Sequence, residues 1–260
     1  PMFPGGLPHL QKSAFMGPAA VVALFVQICN ELRRRMKADS IPAVICTVDV
    51  VLLTLEQSTL KVALVRRERE PFAQALALPG GYIHAQDDVD AQASAVRVLR
   101  DKAGLESPYL EQLATFSGAV RDPRGWSVAV AYCALVPAPV LAQAAGRVEL
   151  AAVDALPPLP FDHRQIIDTA VSRVRSKSQY SSLPVHLCAE PFTLPQLQAV
   201  YEAVLGEPVN KVSFRRKVDE LAMLEPVPGA LLTGGAHRPA QLYRVRQAFR
   251  RQLSLSARGL

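Results

Sequence analysis

From Val44 to Leu55 the chain runs "VICTVDVVLLTL", a stretch rich in β-branched residues and of the length of one buried strand. The following "KVALVRRE" has the same character, and the polar turn "EQST" between them makes the two a hairpin. A mixed sheet starts here. The segment Asp88 to Ala103 places apolar residues at Val89, Ala93, Val96, Leu99 and Ala103, three or four apart. That spacing is one helix face, closed by Gly104. "EQLATFSGAV" and "WSVAVAYCALVP" read as further strands separated by the turn "RDPRG". Up to Pro160 these elements form a compact α/β unit with its helix packed on the sheet.

The Pro-rich "DALPPLPFDH" interrupts regular structure, because consecutive prolines remove backbone donors and disfavour helix before them. It is either a domain boundary or a loop of the first domain. A helix over Asp162 to Ser176 follows. Further on, "FTLPQLQAVYEAVLGEPVNKVSFRRKVDELAMLEPV" reads as helix, short turn, helix. Thr193 caps the first, Pro195 sits in its first turn, and Leu194, Leu197, Tyr201, Val204 and Leu205 form its apolar face up to Gly206. In the second, Phe214, Val218 and Leu221 share a buried face while Lys211 and Arg215 stand on an exposed one. "MLEPV" and "AQLYRV" flank the Gly-rich "PGALLTGGAHRP" as a β-hairpin wing.

Charge separates the two parts. Of the net +6, residues 1–160 contribute nothing, with 15 Lys+Arg against 15 Asp+Glu, and residues 161–260 carry 14 against 8. A basic part beside a neutral one suggests that one meets a polyanion and the other does something else. Helix, turn, basic helix and hairpin is the order of a winged helix, whose second helix enters the major groove. Arg215 and Arg216 are candidates for guanine edges or phosphate. Asn210, Lys211 and Ser213 are candidates for phosphate, Lys217 is a further DNA-binding candidate, and His237 and Arg238 are expected on the wing. A basic face that only supports domain packing is the plainer alternative.

Four cysteines (Cys29, Cys46, Cys133, Cys188) lie far apart and suit neither a zinc site nor a disulfide framework. The apolar stretch Ala19 to Val26 is too short to span a bilayer. Pro18 to Lys37 reads as an extra amphipathic helix, or as sequence upstream of a natural start near Met36.

The combination "LPGG", a short loop, and a helix ending "RVLRDKAGL" resembles the Nudix box. The chain keeps Arg97, Leu99, Gly104 and Leu105, with Asp101 as a shortened acid. Val98 and Lys102 replace two glutamates, Val89 stands where the early glutamate falls, and Gly81 comes two residues too early. The family gathers carboxylates at positions 98, 101 and 102 on one helix face, around divalent cations beside a diphosphate. Here Lys102 is expected to pair with Asp101 and occupy the charge space of Mg²⁺. The resemblance implies a site that receives a diphosphate ligand and is poorly equipped to cut it, with no catalytic residue and no metal site. Around it, Arg66 or Arg67, Gly80, Gly81, Arg97, Arg121, Asp122, Arg124 and Trp126 are the ligand candidates, the arginines for phosphate oxygens and the indole for stacking. His84 is assigned no role.

A Nudix-like domain followed by "SFRRKVDEL" and "GGAHRPAQLYRV" resembles the NrtR family of Nudix-related transcriptional regulators, over about Ile41 to Arg246. "RDPRGW", "FRRK" and "HRPAQLYR" are its more specific marks. The resemblance implies a fold of class α/β (α+β): a Nudix-like α/β/α sandwich with a mixed sheet, then a C-terminal winged helix-turn-helix. The expected division is an N-terminal extension to 40, a ligand-sensing domain over 41–160, a connecting helix over 161–180, a DNA-binding domain over 181–250 and a tail. It further implies a cytoplasmic bacterial homodimer that represses genes of NAD synthesis or salvage from a palindromic operator and is released by ADP-ribose. No cofactor is required, no membrane is involved, and Mg²⁺ matters only if hydrolysis persists. Two alternatives stay open. One is an active ADP-ribose pyrophosphatase whose metal is held by Asp87, Asp88 and Asp101, with the C-terminal domain used for dimerisation. The other is a nucleotide-binding module that recruits a protein partner.

Overall fold

The computed structural model describes residues 25–31, 43–107, 109–233, 239–250 and 253–256. The chain divides into two units, Pro1–Ala43 and Val44–Leu260. In the first, residues 25–31 form a short helix, α1, with Phe25, Val26 and Ile28 exposed. The rest of the helix expected over Pro18 to Lys37 lies outside the described residues. Among the described residues no helix is long and apolar enough to cross a membrane, and all four cysteines are free.

In the second unit β1 (Ile45–Glu56) and β2 (Thr59–Arg66) form the expected hairpin, Leu55 opposite Leu60. Gln57 and Ser58 both take positive φ in the turn, which matches the right-handed twist of the two strands. β3 (Leu76–Ala77), β4 (Gly80–Tyr82), β5 (Tyr109–Gly118), β6 (Ser127–Leu135) and β7 (Glu149–Ala152) complete a seven-stranded sheet. Its order is β3-β2-β1-β6-β5, with β4 also on β1 and β7 on β2. β1 and β6 run parallel and the other pairings are antiparallel.

Alternation along β1 divides the core. Val51 and Leu53 join Ile166, Ile167, Ala170 and Val174 of helix α4 (His163–Ser178) on one face. Val50 and Leu52 join Ala95, Val98, Leu99 and Ala103 on the other. Each Val, Leu or Ile among them contributes roughly 1.5–3 kcal/mol on burial, so a helix is held on both faces of the sheet.

The helix on the second face departs from the expected pattern. It begins at Ala91, because the Asp90 carboxylate accepts the Ala93 N–H at 2.7 Å, and α2 (Ala91–Val98) widens into a π turn over Leu99–Ala103. Its buried residues are Ser94, Ala95, Val98, Leu99 and Ala103, while Val89 precedes the cap and Val96 faces outward. Gly104 ends it with φ +67°, as expected. A short helix α3 (Ala138–Leu141) follows β6.

Beyond α4, a 3-10 turn (Leu183–Leu187) leads to α5 (Leu194–Leu205), whose Thr193 and Gln196 form a capping box. Helix α6 (Lys211–Leu221) is capped by Asn210 and stops at Ala222. β8 (Leu224–Leu232) and β9 (Ala240–Val245) form the hairpin. Pro226 and Pro228 withhold backbone donors, so the ladder shifts register between Pro226 and Leu231. There the Gln241 amide donates to the carbonyls of Val227 and Ala230. Residues 234–238, which include the expected wing contacts His237 and Arg238, lie outside the described residues.

Candidate functional site

A buried charge cluster sits where β1 meets β4 and the start of α4. Asp49 shares the parity of Val51 and Leu53, so it faces α4 from within an otherwise apolar strand. A Cβ on Gly80 would stand 2.2 Å from Asp49 Oδ1, so only glycine lets β4 cross the carboxylate. Burial pushes the Asp49 carboxyl up to about 7 against the opposing pull of Arg121. Arg121 lies 3.7 Å from Asp49 but closes its fork on Asp162, at 2.9 Å from Nε and 2.8 Å from Nη2. His163 accepts the Leu78 N–H at Nδ1 (3.1 Å) and turns Nε2 toward Asp49 at 3.7 Å. Its burial holds the imidazole neutral, pushed down to about 3.

Beside this cluster a group of arginine and aromatic side chains gathers at the surface. The guanidinium of Arg67 lies 4.9 Å from the centroid of Phe161, and that of Arg124 lies 5.9 Å from the same ring and 5.3 Å from Tyr82. Phe72 meets Phe161 edge-on at 5.0 Å. Phe72, Gln74 and Phe161 all take left-handed φ, a strained conformation that clusters at binding sites. Burial, followed by the charge of Arg124, lowers the pKa of Arg67. Two cations held near one ring repel each other, and an arriving anion relieves that repulsion. Asp122 fixes Arg124 through three bonds of 2.6–2.9 Å.

Several expected ligand residues have other partners. Arg66 points away from Arg67 and binds Glu149 at 2.5 Å and the Gln74 carbonyl at 2.8 Å. Arg97 clamps Asp88 at 2.7 and 2.8 Å and binds the Tyr82 carbonyl at 2.9 Å, so it shapes the loop after β4. Arg121 is almost fully buried on Asp162, and a ligand phosphate must compete for it. Gly81 sits against Val98. Trp126 is half exposed, with no ring contact among the described residues. Asp49, Tyr82, Phe161, Asp162 and His163 were missed by sequence reasoning. The lone acid inside "VDVV" and the "PFDH" after the prolines were the signals available.

The degenerate box does not gather its remaining carboxylates. Val98 is buried in the core on the α2 face, and the π turn leaves Asp101 exposed and paired with Arg100 at 3.3 Å. The expected Asp101–Lys102 pair is therefore not formed. Asp88 is occupied by Arg97, which holds its carboxyl well below the usual range. Among the described residues no group of three His, Cys, Asp or Glu side chains is arranged to hold a metal ion. The donor set does not fit Mg²⁺.

On α6 the exposed side carries Lys211, Val212, Arg215, Arg216 and Asp219, opposite buried Phe214, Val218 and Leu221. Arg215 and Arg216 have no intramolecular partner among the described residues. Asn210 is a cap: its Oδ1 accepts from Val212 and Ser213, at 3.0 and 3.1 Å, and so takes the donors a phosphate would use. Ser213 is half-buried behind it. Lys217 is a correction. It is 4% exposed on the core side, its Nζ donates to the Gln179 carbonyl, and burial pushes it down to about 8.

Residues 184–245 match the family model described as the NrtR DNA-binding winged helix domain. The ADPR responsive transcriptional repressor NtrR of Acinetobacter baylyi is 37% identical over 218 residues, 82% of this chain and 86% of its own. The chain belongs to the NrtR family. Shewanella oneidensis NrtR, solved in complex with a 27mer DNA, has 38% identity to this NrtR-family chain and a TM-score of 0.75, over 83% of this chain and 99% of that one. An ADP-ribose pyrophosphatase of Methanocaldococcus jannaschii is 31% identical over 109 residues, 41% of this NrtR-family chain and 63% of its own length.

Proposed function

We propose that this chain is an ADP-ribose-responsive, DNA-binding transcriptional repressor of NAD-metabolism genes whose Nudix-like cleft holds its ligand without cutting it. The observation that carries the reading is the pairing of two partly buried guanidiniums, Arg67 and Arg124, around Phe161 beside a degenerate box that lacks a metal cluster. Diphosphate oxygens neutralise the arginines, and the aromatic edges accept a base. The relative in Acinetobacter supports the repressor assignment and the effector. In this reading residues 41–160 sense the ligand, 161–180 connect, and 181–250 grip DNA through Lys211, Arg215 and Arg216, with His237 and Arg238 on the wing. Two copies of the chain, in the cytoplasm, bind a palindrome.

A ligand that is slowly destroyed is a poor signal, so loss of the glutamates suits a sensor. Ligand affinity must differ between the DNA-bound and released forms, or the operator equilibrium does not move. Fluorescence anisotropy tests the proposal, with labelled fragments from upstream of NAD-metabolism genes titrated with ADP-ribose at fixed salt. Tight binding to one fragment, released by ligand, is the expected result. Indifference to every fragment together with AMP formation from ADP-ribose and Mg²⁺ would replace it with a pyrophosphatase.

A further inference from the structure

Each of the four residues that follow α4 is tied to the winged helix or the C-terminal segment. The Gln179 carbonyl accepts from Lys217, and the Tyr180 carbonyl accepts from the Ser256 N–H at 2.7 Å. The Ser181 carbonyl accepts from the Tyr201 hydroxyl at 2.8 Å. Ser182 exchanges two bonds with Ser254, both at 2.9 Å, and Ser254 Oγ donates to the carbonyl of Leu221, the last residue of α6, at 2.7 Å. Helix α6 is thus fastened at its middle and its end to the C-terminal end of α4.

Lys217 differs from its neighbours Arg215 and Arg216, which are exposed. Its ammonium lies 5.7 Å from the Tyr201 ring centroid, at the carbonyl end of α4 where the helix dipole favours a cation. A buried ammonium is costly to desolvate, and an apolar side chain would fill the same space in the winged-helix core. The 16 residues of α4 span about 24 Å. At the far end, the N-cap Asp162 is held by Arg121 and the adjoining His163 is held by the Leu78 N–H. Between these ends, Ile166, Ile167, Ala170 and Val174 are packed on the sheet.

We infer that Lys217 is a positioning residue that makes α6 follow α4, so that a diphosphate competing with Asp162 for Arg121 at one end is felt at the DNA-facing helix. This rests on the ligand reading above. The two prongs of Arg121 suit a phosphate as well as a carboxylate. A phosphate beside Arg67 and Arg124 therefore weakens the hold on Asp162, and α4 transmits the change because its C-terminal end is fixed to α5, α6 and the C-terminal segment.

The test uses the full chain, ADP-ribose, and a duplex that the wild-type chain selects from a random-sequence pool. The readout is the ratio of duplex Kd with and without saturating ADP-ribose, beside the ADP-ribose affinity measured by calorimetry. Lys217→Met is expected to keep the ADP-ribose affinity and the salt slope of DNA binding while its ratio drops at least threefold below wild type. Lys217→Arg restores the ratio. Should Lys217→Met fail to fold, Tyr201→Phe, which removes the bond to Ser181, reports the same drop. A wild-type ratio in the folded variant overturns the role of Lys217. So does a salt slope reduced by about one at unchanged ratio, which makes Lys217 a phosphate contact. A wild-type chain indifferent to ADP-ribose overturns the ligand reading, and the lever with it.

Discussion

Arg97 closes Nε and Nη2 on the carboxylate of Asp88, at 2.8 and 2.7 Å, and so withdraws an acid of the loop before the damaged helix from any metal. The arginine is one of the box residues that the chain keeps, and its bond to Asp88 gives it a structural role in the loop after β4. The pair lowers the folded pKa of Asp88, so its contribution to stability is complete above the unfolded value near pH 4 and fades as the pH falls below it. Arg97→Met is expected to lose stability against urea by a constant amount between pH 5 and 7, with the gap to wild type narrowing toward pH 3. A gap independent of pH throughout would mean that the pair contributes no charge-dependent stability.

Asp49 has the opposite sign. Burial raises its folded pKa to about 7, so the stability it contributes is complete below about pH 4 and is lost as pH rises through 7. Asp49→Asn should match wild type in acid and exceed it at pH 8, by on the order of 4 kcal/mol at most. Melting temperatures at pH 5, 7 and 8.5 check this, and parallel curves for the two proteins would refute it.

Gly80 depends on the same carboxylate. A Cβ there meets Asp49 Oδ1 at 2.2 Å and the Val48 carbonyl at 3.1 Å, so Gly80→Ala should cost about 1–3 kcal/mol. Adding Asp49→Gly removes the tighter clash. The double variant should therefore be more stable than the sum of the single losses, and strict additivity would place the strain elsewhere.

The cleft separates two adjacent arginines. Arg67→Ala and Arg124→Ala should each weaken ADP-ribose binding about tenfold or more, since each removes charged hydrogen bonds. Arg66→Ala should change it less than about twofold, because Arg66 is turned to Glu149. Calorimetric titration of the three variants decides. Equal losses at 66 and 67 would contradict the cleft as drawn.

On the DNA side, the exposed forks of Arg215 and Arg216 make the double Ala variant the sharpest test of α6. Specific binding should be lost, and the salt slope should drop by about two if both meet phosphates. Retained affinity would move the recognition surface off α6.

The sequence by itself determined the elements and their order. The hairpin over "EQST", the caps at Thr193 and Gly206, Gly104 after the helix, and the winged-helix pattern all depend on interactions within a few residues, which leave a local signature. The missing glutamates were equally legible, since the box is a linear pattern. Tertiary structure alone decided which charges meet. Arg121 reaches Asp162 across 41 residues, Leu78 reaches His163 across 85, and Lys217 reaches Gln179 across 38. Those pairings follow from strand register and from how α4 lies on the sheet. The helix period marks Val96 as core and the charge of Lys217 marks it as a DNA contact, and the packing reversed both. A cap at Asp90 and a π turn rephased α2, and the winged-helix core closed over Lys217. Periodicity says which residues share a face. It does not say which partner that face will find.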